Sequence, residues 1–347
     1  MSEIDLRISG RVGRITLRRP KALNALTWDM VNALSDTLPR WAADETIDML
    51  IIDAEGEKAF CAGGDIAGIY TALTEGDHDT PRQFWRDEYP VNAALFHFPK
   101  PVASFMQGFT MGGGVGIGCH ASHRIVGATS RMAMPECGIG LIPDVGGSLL
   151  LARAPGRVGE YLGTTGHRME SGDAIYAGFA DYFIPEAEWP ELIEQLEQTG
   201  DWNQIDRASH AAPDSALKTQ ATDINEHFGG ETFRDILRSL THKGDDWALS
   251  ALKTLTRNAP LSMACTVELV HRARARDILE EALKQEYRFG HRIVEMGDFQ
   301  EGIRAAIIDK DKSPSWRHDT IDGPSPAEVS AMLRPLGPDE LKLETRT

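Results

Sequence analysis

The stretch MGGGVGIG, residues 111–118, gives the strongest backbone signal in the chain and follows the apolar run PVASFMQG (101–108). Glycines allow main-chain N–H groups to approach a ligand closely, and the start of a helix adds the positive end of its dipole. One interpretation is a tight turn between a strand and a helix. Another is an oxyanion site, in which a glycine N–H polarises a carbonyl oxygen. A P-loop is excluded because no Gly-Lys-Ser/Thr follows.

A dinucleotide-binding fingerprint matches the same stretch only loosely. Its glycine positions fall on Gly116 and Gly118, and Glu136 lies twenty residues after the first of them. However, a strand is predicted to begin near His123, which leaves too little chain for the crossover helix that this fingerprint requires. We therefore disfavour a dinucleotide site.

Strand-like and helix-like segments alternate on both sides of the glycine stretch. Continuous apolar runs are typical of strands covered on both faces. The strand candidates are MLIIDA (49–54), PVASFMQG (101–108), HRIVGA (123–128) and FADYFI (179–184). Helical stretches such as 82–96 and 146–153 lie between them. This alternation predicts an α/β core with parallel strand pairing.

The N-terminal segment predicts a hairpin and then a helix. Apolar residues alternate with polar ones before and after SGRVG (9–13), at Ile4, Leu6, Ile8, Ile15 and Leu17. That pattern is typical of two strands joined by a tight turn. Thr27 is a plausible N-cap for a helix whose apolar residues recur at helical spacing. Pro39 is expected to kink or end that helix early.

Helical periodicity dominates after about residue 190. In the segment that begins at Asp298, this residue and Glu301 are placed as a capping box. Residues 213–246 are polar and poorly patterned, which suggests a loop between helices. We therefore expect a core over residues 1–200 and a mainly helical region over residues 201–347. That region is expected to include the polar loop and a loosely packed tail with one short helix.

Composition excludes several classes of protein. The formal net charge of −16 argues against a nucleic-acid partner, which requires a basic surface. No window approaches 18 consecutive apolar residues, so no membrane span is expected. The four cysteines are widely spaced without a CxxC pair, and the N-terminus resembles neither a signal nor a transit peptide. These features predict a cytoplasmic protein without a disulfide or metal framework. His120 and His123 do not change this, because no third ligand is placed near them.

Two acids lie in an otherwise apolar, glycine-rich segment, MPECGIGLIPDVGG (134–147). Glu136 and Asp144 are separated by eight residues, with no Lys or Arg between them. Each alone is typical of a solvated turn residue. Two carboxylates in one apolar pocket would disfavour joint ionisation, which raises the pKa of at least one of them.

Three segments together resemble the crotonase (enoyl-CoA hydratase/isomerase) superfamily: KAFCAGGDI (58–66), the MGGGVG turn, and MPE–IGL–PDVGG. The resemblance implies a spiral of ββα turns, coenzyme A thioester substrates and an oxyanion hole of two backbone N–H groups. The matching positions are Gly64 and Gly113. The segment RRPKALNAL (18–26) resembles the family's loop around the adenine and phosphate end of coenzyme A. The implied substrate-binding residues here are Arg19, Lys21, Ala22, Ala62 and Asp65. Asp65 is also a natural N-cap for the helix that follows it.

Within the superfamily, hydratases carry a second glutamate where this chain has Gly116 and a small residue where it has Asp144. The segments FWRDEYPVN (84–92) and FQEGIRAAIIDKDKSPSW (299–316) resemble instead the 3-hydroxyisobutyryl-CoA hydrolase family. This resemblance implies hydrolysis of a short branched 3-hydroxyacyl-CoA, as in valine breakdown.

The same resemblance assigns roles to the acids. Glu136 would act as nucleophile or general base, and Asp144 would bind the substrate's 3-hydroxyl and assist proton movement at the leaving thiolate. Glu88 would orient the substrate or the attacking water, although it could equally belong to a surface ion pair. No cofactor is implied, since coenzyme A is part of the substrate.

Two alternatives stay open: an enoyl-CoA isomerase or hydratase on the same scaffold, and a non-catalytic acyl-CoA-binding module. The expected partner is the small acyl-CoA substrate, with neither nucleic acid nor a membrane. Crotonase relatives commonly form trimers or hexamers, so a homo-oligomer is also considered.

Overall fold

Two β-sheets containing nine strands are found in the computed structural model, which describes residues 2–344. The strands are β1 (Ile4–Ser9), β2 (Val12–Leu17), β3 (Met49–Ala54), β4 (Ala59–Cys61), β5 (Val102–Met106), β6 (Phe109–Met111), β7 (His123–Val126), β8 (Arg131–Ala133) and β9 (Tyr182–Phe183). The larger sheet has the strand order β1-β2-β3-β5-β7-β9, and the smaller sheet has the order β4-β6-β8. Each of the four apolar runs predicted as strands contains one of these strands.

Successive strands alternate between the two sheets, because β3, β5 and β7 join the larger sheet while β4, β6 and β8 join the smaller one. Every pairing from β2 onward is parallel. Each turn of the chain therefore adds one strand to each sheet, which is the spiral that the resemblance implied. The predicted α/β core with parallel pairing is confirmed.

The predicted hairpin is also confirmed. Strands β1 and β2 pair antiparallel, with Ile4 opposite Leu17 and Ser9 opposite Val12. Val12 and alternate residues of the neighbouring strands share one face of the larger sheet. The buried side chains on that face include Val12, Met49, Ile51, Ala103, Phe105 and Ile125, and a helix with Trp189 and Leu196 packs against them. Burial of this apolar face stabilises the sheet.

Seventeen α-helices lie within the described residues. They are α1 (Trp28–Ala43), α2 (Ile66–Thr74), α3 (Asp79–Phe96), α4 (Gly113–Gly118), α5 (Gly147–Arg153), α6 (Val158–Thr165), α7 (Ser171–Tyr176), α8 (Trp189–Thr199), α9 (Asn203–Ala208), α10 (Ala216–Thr219), α11 (Ala221–His227), α12 (Phe233–Lys243), α13 (Asp246–Leu255), α14 (Pro260–Ala275), α15 (Leu279–Ile293), α16 (Asp298–Ile303) and α17 (Pro326–Met332). A π-helical segment, Arg304–Ile308, continues α16.

The chain forms two compact units, each assembled from separate stretches. The first unit comprises the chain up to Gly64, Asp87–Ala133 and Arg168–Lys218, and it contains both sheets. The second unit comprises Asp65–Arg86, Met134–His167 and the chain from Thr219 onward. In the second unit, α5, α6 and α14 pack against one another. The expected division at residue 200 follows the change in sequence character and stays a prediction.

Helix α1 begins as predicted, because the Thr27 hydroxyl accepts a hydrogen bond from the Met30 N–H. The helix does not end at Pro39 but continues through it for one more turn. Pro39 itself is exposed, whereas Leu38 and Trp41 are buried on either side of it. Packing of this apolar face outweighs the hydrogen bond that proline cannot make.

The predicted capping box of Asp298 and Glu301 is wrong. Gly297 is the N-cap of α16, and no side chain caps this helix. The Asp298 carboxylate instead accepts a hydrogen bond from the Arg317 N–H at 2.7 Å. Glu301 pairs with Arg304 at 2.8 Å. Both acids are therefore engaged by arginine residues that lie later in the chain.

The polar stretch 213–246 contains helices α10 to α12 and the start of α13, where the sequence suggested a loop. A capping box of Thr232 and Asp235 begins α12. The buried face of α12 consists of Phe233, Ile236, Leu237 and Leu240. Short helices with one apolar stripe gain their stability from tertiary packing, and the polar composition of the stretch gives no sign of that packing.

The C-terminal tail, expected to be loosely packed, contains the predicted short helix α17 and is attached to the second unit. Met332 and Leu341 are buried. Glu340 accepts a hydrogen bond from Arg288 at 2.9 Å, and Arg292 donates to the Met332 carbonyl oxygen at 2.9 Å. Within residues 2–344, no helix is both long enough and apolar enough to cross a bilayer.

Candidate active site

In the first unit, two glycine-rich turns from distant parts of the sequence lie side by side. Gly112, with φ 49° and ψ −120°, leads from β6 into α4, which begins at Gly113. Glycine adopts such a positive-φ conformation without steric cost. A Cβ atom placed on Gly113 would lie 3.3 Å from the Gly64 nitrogen. The fold therefore brings together the two positions predicted as main-chain donors.

The two amide nitrogens are close enough to share one acceptor. Because a Cβ atom lies about 2.5 Å from its own nitrogen, the nitrogens of Gly64 and Gly113 lie within about 6 Å of each other. N–H···O bonds span roughly 2.7–3.2 Å, so a single oxygen can reach both. The first N–H groups of α4 also have no acceptor within the helix. This spacing permits an oxyanion hole, and that role stays a prediction.

Glu88, on α3, lies beside the same turn. Glu88 is 2% exposed, so it does not lie on the surface as the alternative from the sequence required. Its Oε1 would lie 3.0 Å from a Cβ atom on Gly113. Burial, together with the charge of Glu88, raises the pKa of the neighbouring Cys61 thiol to about 12. Cys61 is therefore protonated at neutral pH and unsuited to act as a nucleophile.

The loop predicted to contact coenzyme A is a 3-10 turn within the first unit. The Arg19 guanidinium lies 2.8 Å from Glu3 and donates to the Ala25 carbonyl oxygen at 2.6 Å. Arg19 thus braces the loop internally. Lys21 and Ala22 are exposed. Coenzyme A contact stays a prediction for all three loop residues.

Ala62 and Asp65 complete the predicted binding residues. In the first unit, the Ala62 N–H donates to the Leu23 carbonyl oxygen at 3.0 Å, which ties the turn to the loop. In the second unit, Asp65 occupies the N-cap position of α2, but the prediction that its side chain caps this helix is wrong. Its side chain makes no capping hydrogen bond.

Glu136 begins a 3-10 turn in the second unit. The Cys137 thiol lies 3.3 Å from the Gly163 carbonyl oxygen on α6, and the Cys137 carbonyl oxygen accepts from the Ala259 N–H at 2.9 Å. These contacts hold the turn against α6 and the start of α14. The Glu136 side chain is buried, and within residues 2–344 its Oε2 has no hydrogen-bond partner.

Asp144 lies in a second tight turn of the same unit and is also buried. The Asp144 carbonyl oxygen accepts from the Gly147 N–H at 2.7 Å. Val145 and Gly146 both have positive φ, 54° and 80°. The Gly146 N–H donates to the carboxylate of Glu286, on α15, at 2.8 Å.

The three buried acids of the second unit interact through their charges. Burial first, then the charge of Asp144, raises the pKa of Glu136 well above its usual value, and the charge of Glu286 adds to this effect. Burial raises the pKa of Glu286 to about 7, against hydrogen bonds from Ser148 and Gly146 that lower it. The predicted raised pKa of at least one acid is thus found at Glu136. A carboxylate with a raised pKa is a stronger base than an ordinary one.

In the part of the chain that the structure describes, no group of three or more His, Cys, Asp or Glu side chains is placed to bind a metal ion. The two histidines considered from the sequence make ring contacts. His120 packs edge-on against Phe96, with ring centroids 5.7 Å apart. His123 stacks on Tyr182 at 5.9 Å.

Comparison with known proteins identifies the family of this chain. The sequence model of the enoyl-CoA hydratase/isomerase family matches residues 12–333, nearly the whole chain. The chain belongs to this family. Members similar to it include a zebrafish (Danio rerio) protein named 3-hydroxyisobutyryl-CoA hydrolase, mitochondrial, which is 36% identical over 99% of this chain and 92% of its own length. The human (Homo sapiens) protein of the same name is 34% identical over 98% of this chain and 90% of its own length.

Solved structures of family members confirm the crotonase fold and the helical C-terminal region. An enoyl-CoA hydratase from Rhodobacter sphaeroides superposes with a TM-score of 0.94 at 52% identity, covering 99% of this chain and 100% of that one. A carnitinyl-CoA dehydratase from Mycobacterium thermoresistibile gives a TM-score of 0.93 at 37% identity, with 99% of each chain covered.

Sequence reasoning missed two buried residues, one in each unit, that hydrogen-bond to the turn or loop carrying candidate site residues of that unit. The first is Glu286, whose only signal is an acid on the apolar stripe of an amphipathic helix. The second is Asn24, which has φ 55° and is buried. Its side chain accepts from the Arg19 N–H at 2.8 Å and donates to the carbonyl oxygens of Glu55 and Ala59, both at 2.9 Å. An asparagine among loop residues is typical of positive φ, which is the signal that could have identified it.

Proposed function

We propose that this chain hydrolyses 3-hydroxyisobutyryl-CoA to 3-hydroxyisobutyrate and free coenzyme A, a thioester cleavage in valine degradation. The observation that carries the proposal is the pair of buried acids, Glu136 and Asp144, of which Glu136 has a raised pKa. The full-length similarity to relatives named 3-hydroxyisobutyryl-CoA hydrolase supports it.

In this proposal, Glu136 promotes cleavage of the thioester in one of two ways. As a general base, it takes a proton from a water whose oxygen bonds to the carbonyl carbon. As a nucleophile, its own carboxylate oxygen forms that bond, which gives a mixed anhydride that water then opens. In both cases the C–S bond breaks, and the sulfur leaves as a thiolate and takes up a proton.

The remaining residues are proposed to stabilise the transition state and orient the substrate. The N–H groups of Gly64 and Gly113 would donate to the carbonyl oxygen as it becomes negative, and losing one such donor costs roughly 3–4 kcal/mol. Asp144 would hydrogen-bond the 3-hydroxyl group and assist protonation of the thiolate. Glu88 would orient the hydroxyl group or the attacking water.

The direct test is incubation with 3-hydroxyisobutyryl-CoA and a thiol reagent that reports free coenzyme A. We expect steady release by the wild-type protein. The matched control is Glu136→Gln, which keeps the shape of the side chain and removes its basicity. Absence of release by the folded wild-type protein would refute the proposal, as would equal release by the two proteins.

Hydration of an enoyl-CoA is a second candidate, because the relative from Rhodobacter sphaeroides at 52% identity is named an enoyl-CoA hydratase. Gly116, at the place of the second hydratase glutamate, disfavours it. The two reactions have different products. Hydration removes the ultraviolet absorbance of a conjugated enoyl thioester without releasing a thiol, whereas hydrolysis releases the thiol.

The proposal requires no cofactor beyond the coenzyme A of the substrate. The small acyl-CoA is the proposed partner, without nucleic acid or a membrane, and we extend to this chain the homo-oligomer expected for crotonase relatives. The vertebrate relatives are named mitochondrial. For this chain we propose the cytoplasm, which localisation of the tagged protein in cells would test.

A further inference from the structure

Glu286 is a buried acid to which neither the sequence nor the proposed mechanism assigns a role. It lies on α15, and its side chain has no exposed surface. Its Oε2 accepts a hydrogen bond from the Gly146 N–H at 2.8 Å, and its Oε1 accepts from the Ser148 N–H at 3.0 Å. The Ser148 hydroxyl donates to the same Oε1. One carboxylate thus binds three donors in the turn that follows Asp144.

The turn has an uncommon backbone conformation next to Asp144. Val145 has φ 54°, where a β-branched residue is a genuine outlier. Such a conformation persists only where the surrounding structure holds it in place. The hydrogen bond from Gly146, the next residue, to Glu286 provides such a constraint.

Among the residues that the structure describes, Glu286 does not belong to a buried salt bridge, because the groups that bind its carboxylate are uncharged. Within the described residues, the hydrogen-bond donors to Glu286 are two backbone N–H groups and one hydroxyl group, without a cation. The charge of Asp144 opposes ionisation of Glu286. A buried carboxylate near another acid is costly, so the three hydrogen bonds are what make the position tolerable.

We propose that Glu286 is a positioning residue, whose carboxylate fixes the turn from Val145 to Ser148 and thereby the direction of the Asp144 side chain toward the substrate's 3-hydroxyl group. This inference rests on the proposed function. Part of the selectivity for the acyl group then depends on Glu286 of α15.

The test compares two substrates, 3-hydroxyisobutyryl-CoA and isobutyryl-CoA, which lacks the 3-hydroxyl group. Within one preparation, the ratio of their kcat/KM values does not depend on the fraction of folded protein. We expect Glu286→Gln to lower that ratio at least about tenfold, because misplacing a group by about 1 Å can cost up to ~100-fold. A purely structural role would lower both values equally. The matched control is Glu281→Gln, which removes an acid from α15 that pairs with Lys284, and its ratio should equal that of the wild type.

Ser148→Ala provides a second variant that keeps the carboxylate and removes one donor. We expect a ratio about threefold to tenfold below that of the wild type, the usual effect of one hydrogen bond. This variant decides the question if circular dichroism shows that Glu286→Gln does not fold.

The outcomes separate the two proposals. A wild-type protein that releases no coenzyme A from either substrate overturns the proposed function. A wild-type protein that hydrolyses 3-hydroxyisobutyryl-CoA, with an unchanged ratio in folded Glu286→Gln or in Ser148→Ala, overturns the positioning role alone. So does a wild-type protein that hydrolyses both substrates equally well.

Discussion

Replacing Gly113 by alanine tests the oxyanion role, because the added methyl group has a defined position. It would lie 3.3 Å from the Gly64 nitrogen and 3.0 Å from the Glu88 Oε1. An oxygen that accepts a hydrogen bond from the Gly64 N–H must come within roughly 2.7–3.2 Å of that nitrogen. The methyl group takes part of this volume, so the substrate carbonyl must withdraw from at least one donor.

The expected loss of activity is larger than the loss of stability. Losing one oxyanion donor lowers kcat about 10²- to 10³-fold, or roughly 3–4 kcal/mol. The contacts of the methyl group, 3.0 to 3.3 Å, are short by only a few tenths of an ångström. Overpacking of this kind costs about 1–3 kcal/mol of folding free energy. We therefore expect Gly113→Ala to fold, with a lower Tm and a kcat at least a hundredfold below that of the wild type.

The assay is release of coenzyme A from saturating 3-hydroxyisobutyryl-CoA, with Tm measured on the same samples. Binding of free coenzyme A, followed by calorimetry, should be unchanged because that ligand has no thioester carbonyl. The control is Gly68→Ala on α2, where an added Cβ atom meets nothing within 4 Å. Alanine in a helix interior is favoured over glycine by up to about 1 kcal/mol, so this control should keep its kcat and its stability.

Two results would refute the reasoning. A folded Gly113→Ala protein with wild-type kcat would show that the carbonyl oxygen is not held at this turn. Equal losses of thioester turnover and of coenzyme A binding would show that the methyl group disturbs the whole ligand, and the assignment of Gly64 and Gly113 as paired donors would then fail.

Three further predictions concern buried groups. Glu136→Gln should abolish hydrolysis, retain coenzyme A binding and unfold at higher urea concentration than the wild type at pH 8, because a desolvated acid no longer has to ionise. Although burial acts in the opposite direction, hydrogen bonds from His271 and Arg274 lower the pKa of Glu160 to about 2. The ionised Glu160 side chain therefore adds roughly 3 kcal/mol to the free energy of unfolding above pH 4.5, and this contribution is lost as pH falls toward 2. Urea titrations of Glu160→Gln and the wild type should accordingly differ at pH 7 and converge near pH 2. Gly114→Ala should lower Tm more than Gly113→Ala does, because its methyl group would overlap a backbone carbonyl oxygen.

Local sequence patterns were sufficient to predict most of the core. The largely apolar runs at 49–54, 101–108 and 123–128 predict strands, and their alternation with helical stretches predicts parallel pairing. The Thr27 cap is equally local. The convergence of Gly64 with Gly113 is not local, and it is the resemblance to a known family that identifies these two glycines as the paired donors.

The errors arose where partners distant in sequence decide the structure. Asp298 has the spacing of a capping residue, yet the Arg317 N–H binds its carboxylate. The stretch 213–246 is helical because its few apolar residues pack against other elements. Pro39 lies within a helix because its neighbours are buried. In each case, tertiary contacts outweighed a local preference that was read correctly.

Glu160 and Glu286 show why sequence pattern alone does not separate structural acids from candidate functional acids. Both are glutamates on helices and both have no exposed surface. Glu160 lies beside Arg274 and His271, and its pKa is lowered to about 2. Glu286 has only neutral donors and faces the charge of Asp144, and its pKa is raised to about 7. Counter-ions favour the ionised form of a buried acid, whereas ionising a buried acid without them costs stability, and such an acid is a candidate for a functional role. The direction of the pKa shift separates these cases, and it depends on contacts across more than one hundred residues of sequence that no periodicity encodes.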